Sequence, residues 1–159
     1  RKFVEECNEK FDVVILDLTD PMGPSSQLYT LEFYKAVKSI LDENGITVTH
    51  SESPYLYQRE FVTIYKTLSE VFEITRPYGV WIPSFGLYWM FVMASDKIDP
   101  RRVGKEIIEK RMKERGVITD YYSPELHEAL FILPKDIIKA LKRTDIQIST
   151  DKKPIHMIV

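Results

Sequence analysis

The chain has 159 residues, 44% hydrophobic and 29% charged, a balance that fits one soluble globular domain. A net charge of −2 supplies no basic face for nucleic acid, and Cys7, the only cysteine, excludes an intrachain disulfide and suits a reducing cytoplasm. No apolar run approaches the roughly 18 residues that cross a bilayer, and no signal peptide precedes the amphipathic stretch already under way at Phe3-Val4.

In chain order, Phe11-Asp12-Val13-Val14-Ile15-Leu16-Asp17 is a continuous aliphatic run ending in an acid. It predicts a strand buried on both faces, as in the middle of a parallel sheet. A Pro/Gly/Ser-rich loop covers 21–26, and Phe33, Tyr34, Val37, Ile40 and Leu41 then recur at helical spacing up to a break at Gly45. Ile46 to His50 predicts a second buried strand. Phe61, Ile64, Tyr65, Leu68 and Val71 mark one face of a second helix. Two β-rich stretches, 73–82 and 87–94, flank Pro83-Ser84-Phe85-Gly86 and predict an antiparallel hairpin, because no helix-length segment separates them. Residues 101–115 read as a charged, solvated helix stopped by Gly116 and laced by i,i+4 pairs. Ser123-Pro124-Glu125 is a helix start, and Leu133-Pro134 precedes another helix to about Leu141. Ile146-Gln147-Ile148 is an edge strand or a loose tail.

Strand–helix alternation of this kind predicts an α/β sheet, and such sheets bind ligands beyond the C-terminal ends of their strands. Asp17 and His50 both fall at strand ends. Asp17-Leu18-Thr19-Asp20-Pro21 sets two carboxylates three residues apart. Two acids converging on a pocket suit a cationic ligand, and one can take a proton as an amine becomes a nucleophile. Spacing alone leaves two other readings open, a turn cap and a Mg²⁺ site, although no further ligand cluster supports the metal.

Leu16-Asp17-Leu18-Thr19-Asp20-Pro21-Met22-Gly23-Pro24, followed by Leu28-Tyr29-Thr30 and Phe33-Tyr34, resembles the active-site loop of polyamine aminopropyltransferases, the spermidine synthase family. Ser51-Glu52-Ser53-Pro54, Ile82-Pro83-Ser84-Phe85 and Tyr121-Tyr122-Ser123-Pro124-Glu125-Leu126-His127 agree in order and spacing, so the resemblance spans about 11–141. It implies a Rossmann-like, class I methyltransferase-type sheet, here the C-terminal half of one catalytic domain. It implies transfer of an aminopropyl group from decarboxylated S-adenosylmethionine to a polyamine, releasing methylthioadenosine. That donor is a co-substrate, and no prosthetic group or metal is expected. Asp17 would be the proton acceptor, Asp20 a second anchor for an amine or for the donor's ammonium, and Pro24 a neighbour of the methylthioadenosine. A cytoplasmic homodimer or homotetramer, working on small molecules without nucleic acid or membrane, is the corresponding expectation.

The sequence departs from the family in places. His50 stands where spermidine synthases typically have Gln, and Phe85 where they have Tyr. Phe85 keeps an aromatic wall but lacks a hydroxyl for a substrate amine. His50 either donates a hydrogen bond in the site or is bonded to a carbonyl. Gln27-Leu28-Tyr29-Thr30, with Phe85 and then Trp89, is more similar to thermospermine synthases, which points to spermidine as acceptor, with putrescine, agmatine or cadaverine as alternatives. The family's glycine-rich donor loop and its N-terminal β domain are expected upstream, and the 159 residues alone are expected to be inactive. A class I methyltransferase and a non-catalytic homologue are the competing functions. Tyr121, Tyr122 and His127 read as packing residues. Trp81 and Met90 suit a core or a subunit contact, and Trp89 suits either that or ligand stacking.

Overall fold

The computed structural model describes residues 1–157. Four strands form one mixed sheet: β1 (Phe11–Leu16), β2 (Leu41–His50), β3 (Ile74–Ile82) and β4 (Leu87–Ser95), in the order β1-β2-β4-β3. β1 and β2 are parallel and connected through a helix, whereas β4 runs antiparallel to both β2 and β3. Among the described residues the helices are α1 (Lys2–Glu6), α2 (Leu31–Ser39), α3 (Gln58–Ser69), α4 (Lys105–Glu114), α5 (Pro124–Leu130) and α6 (Lys135–Leu141). This is the α/β architecture with a terminal hairpin and C-terminal helices that the alternation predicts.

The hairpin follows from its connection. Four residues cannot make a parallel crossover, and Gly86, at φ +63°, closes a turn in which the Ile82 carbonyl accepts from the Phe85 and Gly86 amides. The α3 crossover to β3 passes over one strand position, and β4 folds back into it.

The core lies between the sheet and α2 and α3. Phe33, Tyr34 and Val37 of α2 meet Ile64 and Leu68 of α3 over Leu16, Val92 and Ala94 of the sheet. Each large apolar side chain buried there stabilises the fold by about 1.5–3 kcal/mol before entropy is counted. A second cluster joins Phe61 and Val62 of α3 to Met90, to Ile137 and Ala140 of α6, and to Ile146. Two caps fix helix starts: Thr30 Oγ1 accepts from the Phe33 amide at 3.3 Å, and Ser123 Oγ from the Leu126 amide at 3.1 Å. On the solvated helix α4, Lys110 pairs with Glu114, while Lys105 reaches across to Glu125 at the start of α5.

Four expectations need correction. β1 is not buried on both faces: Val13 and Ile15 are 53% and 73% exposed. β1 is an edge strand here, and on that face the C-terminal region packs beside β3, where Phe131 at the end of α5 meets Tyr78. An aliphatic run reports β propensity without reporting which faces are covered. Gly45 is not a break but a buried part of β2, which begins at Leu41; a Cβ there would meet Leu41 Cβ at 2.8 Å, so the irregular register between Phe11 and Val13 needs glycine. The charged helix starts at Lys105, after a short 3-10 turn at Pro100–Arg102. Finally, 146–148 forms neither an edge strand nor a loose tail. Ile146, Ser149, Ile155 and Met157 are buried, Ser149 accepts from the Leu31 amide, and its own amide donates to Thr67 Oγ1.

Candidate functional site

The parallel register pairs Leu16 with Thr49, so the residues that follow, Asp17 and His50, emerge at one sheet edge. β4 runs the other way and pairs Phe91 with His50. Two residues toward the hairpin, the Trp89 ring stacks on His50 with centroids 6.3 Å apart and planes at 15°. From the hairpin turn, Phe85 meets Trp89 edge-on at 5.0 Å. The resulting cleft of about 640 Å³ is lined by Asp17, Asp20, His50, Phe85 and Trp89, together with Tyr57 and Met157. Five of the six expected site residues thus share one cavity. The sixth, Pro24, is exposed on the 3-10 turn Gly23–Leu28 and does not line it.

Among the described residues, no protein donor reaches the carboxylate of Asp17 or Asp20, and both side chains are open to the cleft. The backbone of their loop is held firmly. Ser25 Oγ donates to the Asp20 carbonyl at 2.6 Å, and the Met157 amide donates to the Pro21 carbonyl at 3.0 Å. Between the two acids, the Tyr29 hydroxyl donates to the Thr19 carbonyl at 2.8 Å. The Tyr29 oxygen also lies 2.9 Å from His50 Nε2. With the Tyr29 proton on the Thr19 carbonyl, that oxygen is free to accept from Nε2–H in the tautomer that carries it. His50 Nε2 is thus paired with a buried phenol, while the Leu18 carbonyl also bonds the ring.

Next to His50, Glu52 is fully buried, and neither carboxyl oxygen has a hydrogen-bond partner. Its Oε1 lies 3.8 Å from His50 Nδ1, too far for a hydrogen bond. Its backbone sits at φ +72°, which costs a non-glycine residue on the order of 1 kcal/mol. Burial, and then the neighbouring Asp20 and Glu60 carboxylates, push the Glu52 carboxyl up to about 7. Burial lowers the His50 imidazole below its ordinary value, opposed by the Leu18 carbonyl and by Asp20 and Asp17, so the ring is neutral at pH 7. The Tyr29 hydroxyl is driven up by burial and by Glu52, Asp20 and Asp17. Strained backbone and an unpaired buried acid on one residue are features that concentrate at functional sites.

The sequence does not single out Glu52 and Tyr29 as site residues. Both lie in sequence blocks that mark the resemblance, and Glu52 follows a strand end by two positions, which was the available signal. Tyr29 gives none, because a tyrosine before a helix reads as packing. Tyr121 is exposed, while Tyr122 donates to His127 Nδ1 at 2.9 Å and His127 Nε2 donates to the Pro100 carbonyl at 2.8 Å, a tie within the α5 region. Trp81 is exposed and Met90 fully buried. Among the described residues, no group of three or more His, Cys, Asp or Glu could hold a metal ion, and no helix is long and apolar enough to cross a membrane.

Comparison with known proteins agrees with this fold. Residues 1–103 match the spermine/spermidine synthase domain model. The chain is 41% identical over 163 residues to polyamine aminopropyltransferase 2 of Hyperthermus butylicus, covering all of this chain and 53% of that protein. It is also 41% identical over 158 residues to the polyamine aminopropyltransferase of Korarchaeum cryptofilum, covering 99% of this chain and 49% of that protein. A spermidine synthase solved with the transition-state analogue AdoDATO superposes with a TM-score of 0.78 at 34% identity, over 88% of this chain and 47% of that one. The spermidine synthase of Thermotoga maritima gives 0.75 at 34% identity, over 88% and 46%. The chain spans about half the length of the curated relatives it matches. With a matching domain model over most of its length, and a sheet that superposes on solved members, the chain belongs to the spermine/spermidine synthase family.

Proposed function

We propose that the full-length protein transfers an aminopropyl group from decarboxylated S-adenosylmethionine to a polyamine. The observation that carries this reading is a cleft with two unpartnered carboxylates at one end, aromatic walls along its length, and no Lys or Arg among its described lining residues. Ammonium groups separated by methylenes fit such a cleft: carboxylates hold the charges, and Trp89, Phe85 and Tyr57 shield the chain between them. Asp17 accepts a proton from the attacking amine, which at a pKa of about 10 is otherwise mostly protonated. The amine lone pair then forms the new C–N bond as the C–S bond of the sulfonium breaks, and neutral methylthioadenosine leaves. Asp20 anchors a second ammonium. Since the leaving group departs neutral, no general acid is required, and the residues act mainly by alignment and deprotonation.

Pro24 contacts the nucleoside in this reading, and most of the nucleoside pocket belongs to residues outside the 159 described in sequence. Phe85 removes a hydroxyl from the amine end and favours a longer acceptor, so spermidine is the proposed substrate, giving thermospermine or spermine. Assay of the full-length protein with spermidine, putrescine, agmatine and cadaverine tests both parts. Transfer to spermidine at the highest kcat/KM supports the reading. A clear preference for putrescine overturns the acceptor, and methyl transfer from S-adenosylmethionine overturns the reaction class. Light scattering of the same sample tests the homodimer or homotetramer.

A further inference from the structure

We propose that Tyr29 is a positioning residue for the two acids, acting through the Thr19 carbonyl, and that His50 holds it in that role by donating Nε2–H to the Tyr29 oxygen. The proposal rests on the assignment of Asp17 and Asp20 as base and anchor, and extends it to Tyr29, which does not line the cleft, and to the ring of His50 behind it.

Thr19 lies between the two acids, so a hydrogen bond to its carbonyl fixes the spacing and direction of both neighbours. Tyr29 makes that bond from a side chain with no exposed surface, one residue before the cap of α2. Its ring sits in the main core with Leu16, Phe33 and Tyr34, so loop position is referred to the most rigid part of the fold. A phenol rotates freely about its C–O bond, and it keeps its proton on Thr19 only if its oxygen faces a donor elsewhere. His50 supplies that donor at 2.9 Å. The imidazole is held in turn by stacking on Trp89 and by the Leu18 carbonyl, with Glu52 nearby but unbonded at 3.8 Å from Nδ1. With Nε2 protonated, the neutral ring carries its lone pair at Nδ1. Thus the chain His50, Tyr29, Thr19 connects the end of β2 to the loop after β1 behind the cleft.

The test compares Tyr29→Phe, His50→Gln, the double variant and Asp17→Asn in the full-length protein. Tyr29→Phe keeps the ring and its packing, and leaves the Thr19 carbonyl and Nε2–H without their partner. Its kcat should fall roughly tenfold or more, since misplacement by about 1 Å can cost 10²-fold, while methylthioadenosine affinity changes less than twofold. A glutamine amide can still donate to Tyr29, so His50→Gln should lose less than Tyr29→Phe, and the double variant should lose less than the product of the singles. In histidine-labelled protein, the ¹⁵N shifts of His50 should show Nε2–H in the parent and change in Tyr29→Phe. Unchanged kcat in Tyr29→Phe, strictly multiplicative losses, or parallel decline of kcat, nucleoside affinity and thermal stability would each overturn the proposal. Asp17→Asn separates the two readings. If it retains turnover, the acid assignment fails. If it abolishes turnover and Tyr29→Phe does not reduce it, only the positioning role fails.

Discussion

Two buried carboxyls, one at each end of the sheet, are treated in opposite ways. Glu52, beside the cleft, has no hydrogen-bond partner, and burial pushes it up to about 7. Asp99, at the turn before α4, accepts from Arg76 Nε at 3.1 Å and Nη2 at 2.6 Å, and from the Arg101 amide, which hold it down to about 2. The two Tyr–His pairs differ in the same sense. Tyr122 gives its proton to His127, which gives its own to Pro100, and the chain ends satisfied. Tyr29 gives its proton to the loop that carries the acids and takes one from His50, next to an unpaired carboxyl. The α4–α5 side uses polar groups to close a structure, while the strand-end side keeps charge unneutralised where a cation could use it.

The sharpest way to break this contrast is Asp17→Asn in the full-length protein. General-base catalysis contributes about 10²–10⁴-fold, so kcat should drop by that factor while methylthioadenosine binding is retained. Steady-state kinetics and calorimetry on one preparation decide it, and retained turnover would remove Asp17 as the base.

Glu52→Gln comes next. The folded carboxyl titrates above its unfolded value, so the native state holds the extra proton between about pH 4.5 and 7. Wild-type stability from this group is therefore fully present below about 4.5 and declines as pH rises through 7. The variant should be more stable than wild type by about 2–3 kcal/mol at pH 8, with the difference vanishing below about pH 4.5. Denaturant unfolding across that range measures it.

Asp99→Asn should show the reverse sign. A depressed carboxyl contributes stability above its unfolded value near 3.8, lost as pH falls through about 2. The loss at pH 7 should be about 1–2 kcal/mol after allowance for nearby solvent, shrinking toward zero in acid, with turnover unchanged. The smallest effect belongs to Tyr122→Phe, about 1 kcal/mol for one lost hydrogen bond and no change in kcat. If it slows turnover as much as Tyr29→Phe does, the division between the two regions is wrong.

Much of this protein is legible in its sequence. Phe11 to Leu16, Phe33 to Val37 and Phe61 to Leu68 carry periods that only β1, α2 and α3 satisfy, and Ser123 and Gly86 mark a cap and a turn through local backbone chemistry that needs no distant partner. The acidic pair is equally local: two carboxylates three residues apart after a strand reach a sheet edge however the rest folds. The exposure of Val13 and Ile15, the burial of the tail and Gly45 inside β2 are not, because each depends on which surface another segment covers.

The sequence alone thus determined the α/β class, the terminal hairpin, and the placing of two carboxylates, Asp17 and Asp20, just beyond a strand end. Only the tertiary structure decided that Tyr29, His50 and Thr19 form one connected group behind that pair, with the unpaired Glu52 beside it. They come from the loop after β1, the turn before α2 and the end of β2, with ten positions between Thr19 and Tyr29 and twenty-one between Tyr29 and His50. Hydrogen bonds and desolvation act across space at distances of a few ångströms, and no periodicity along the chain encodes which distant groups will meet.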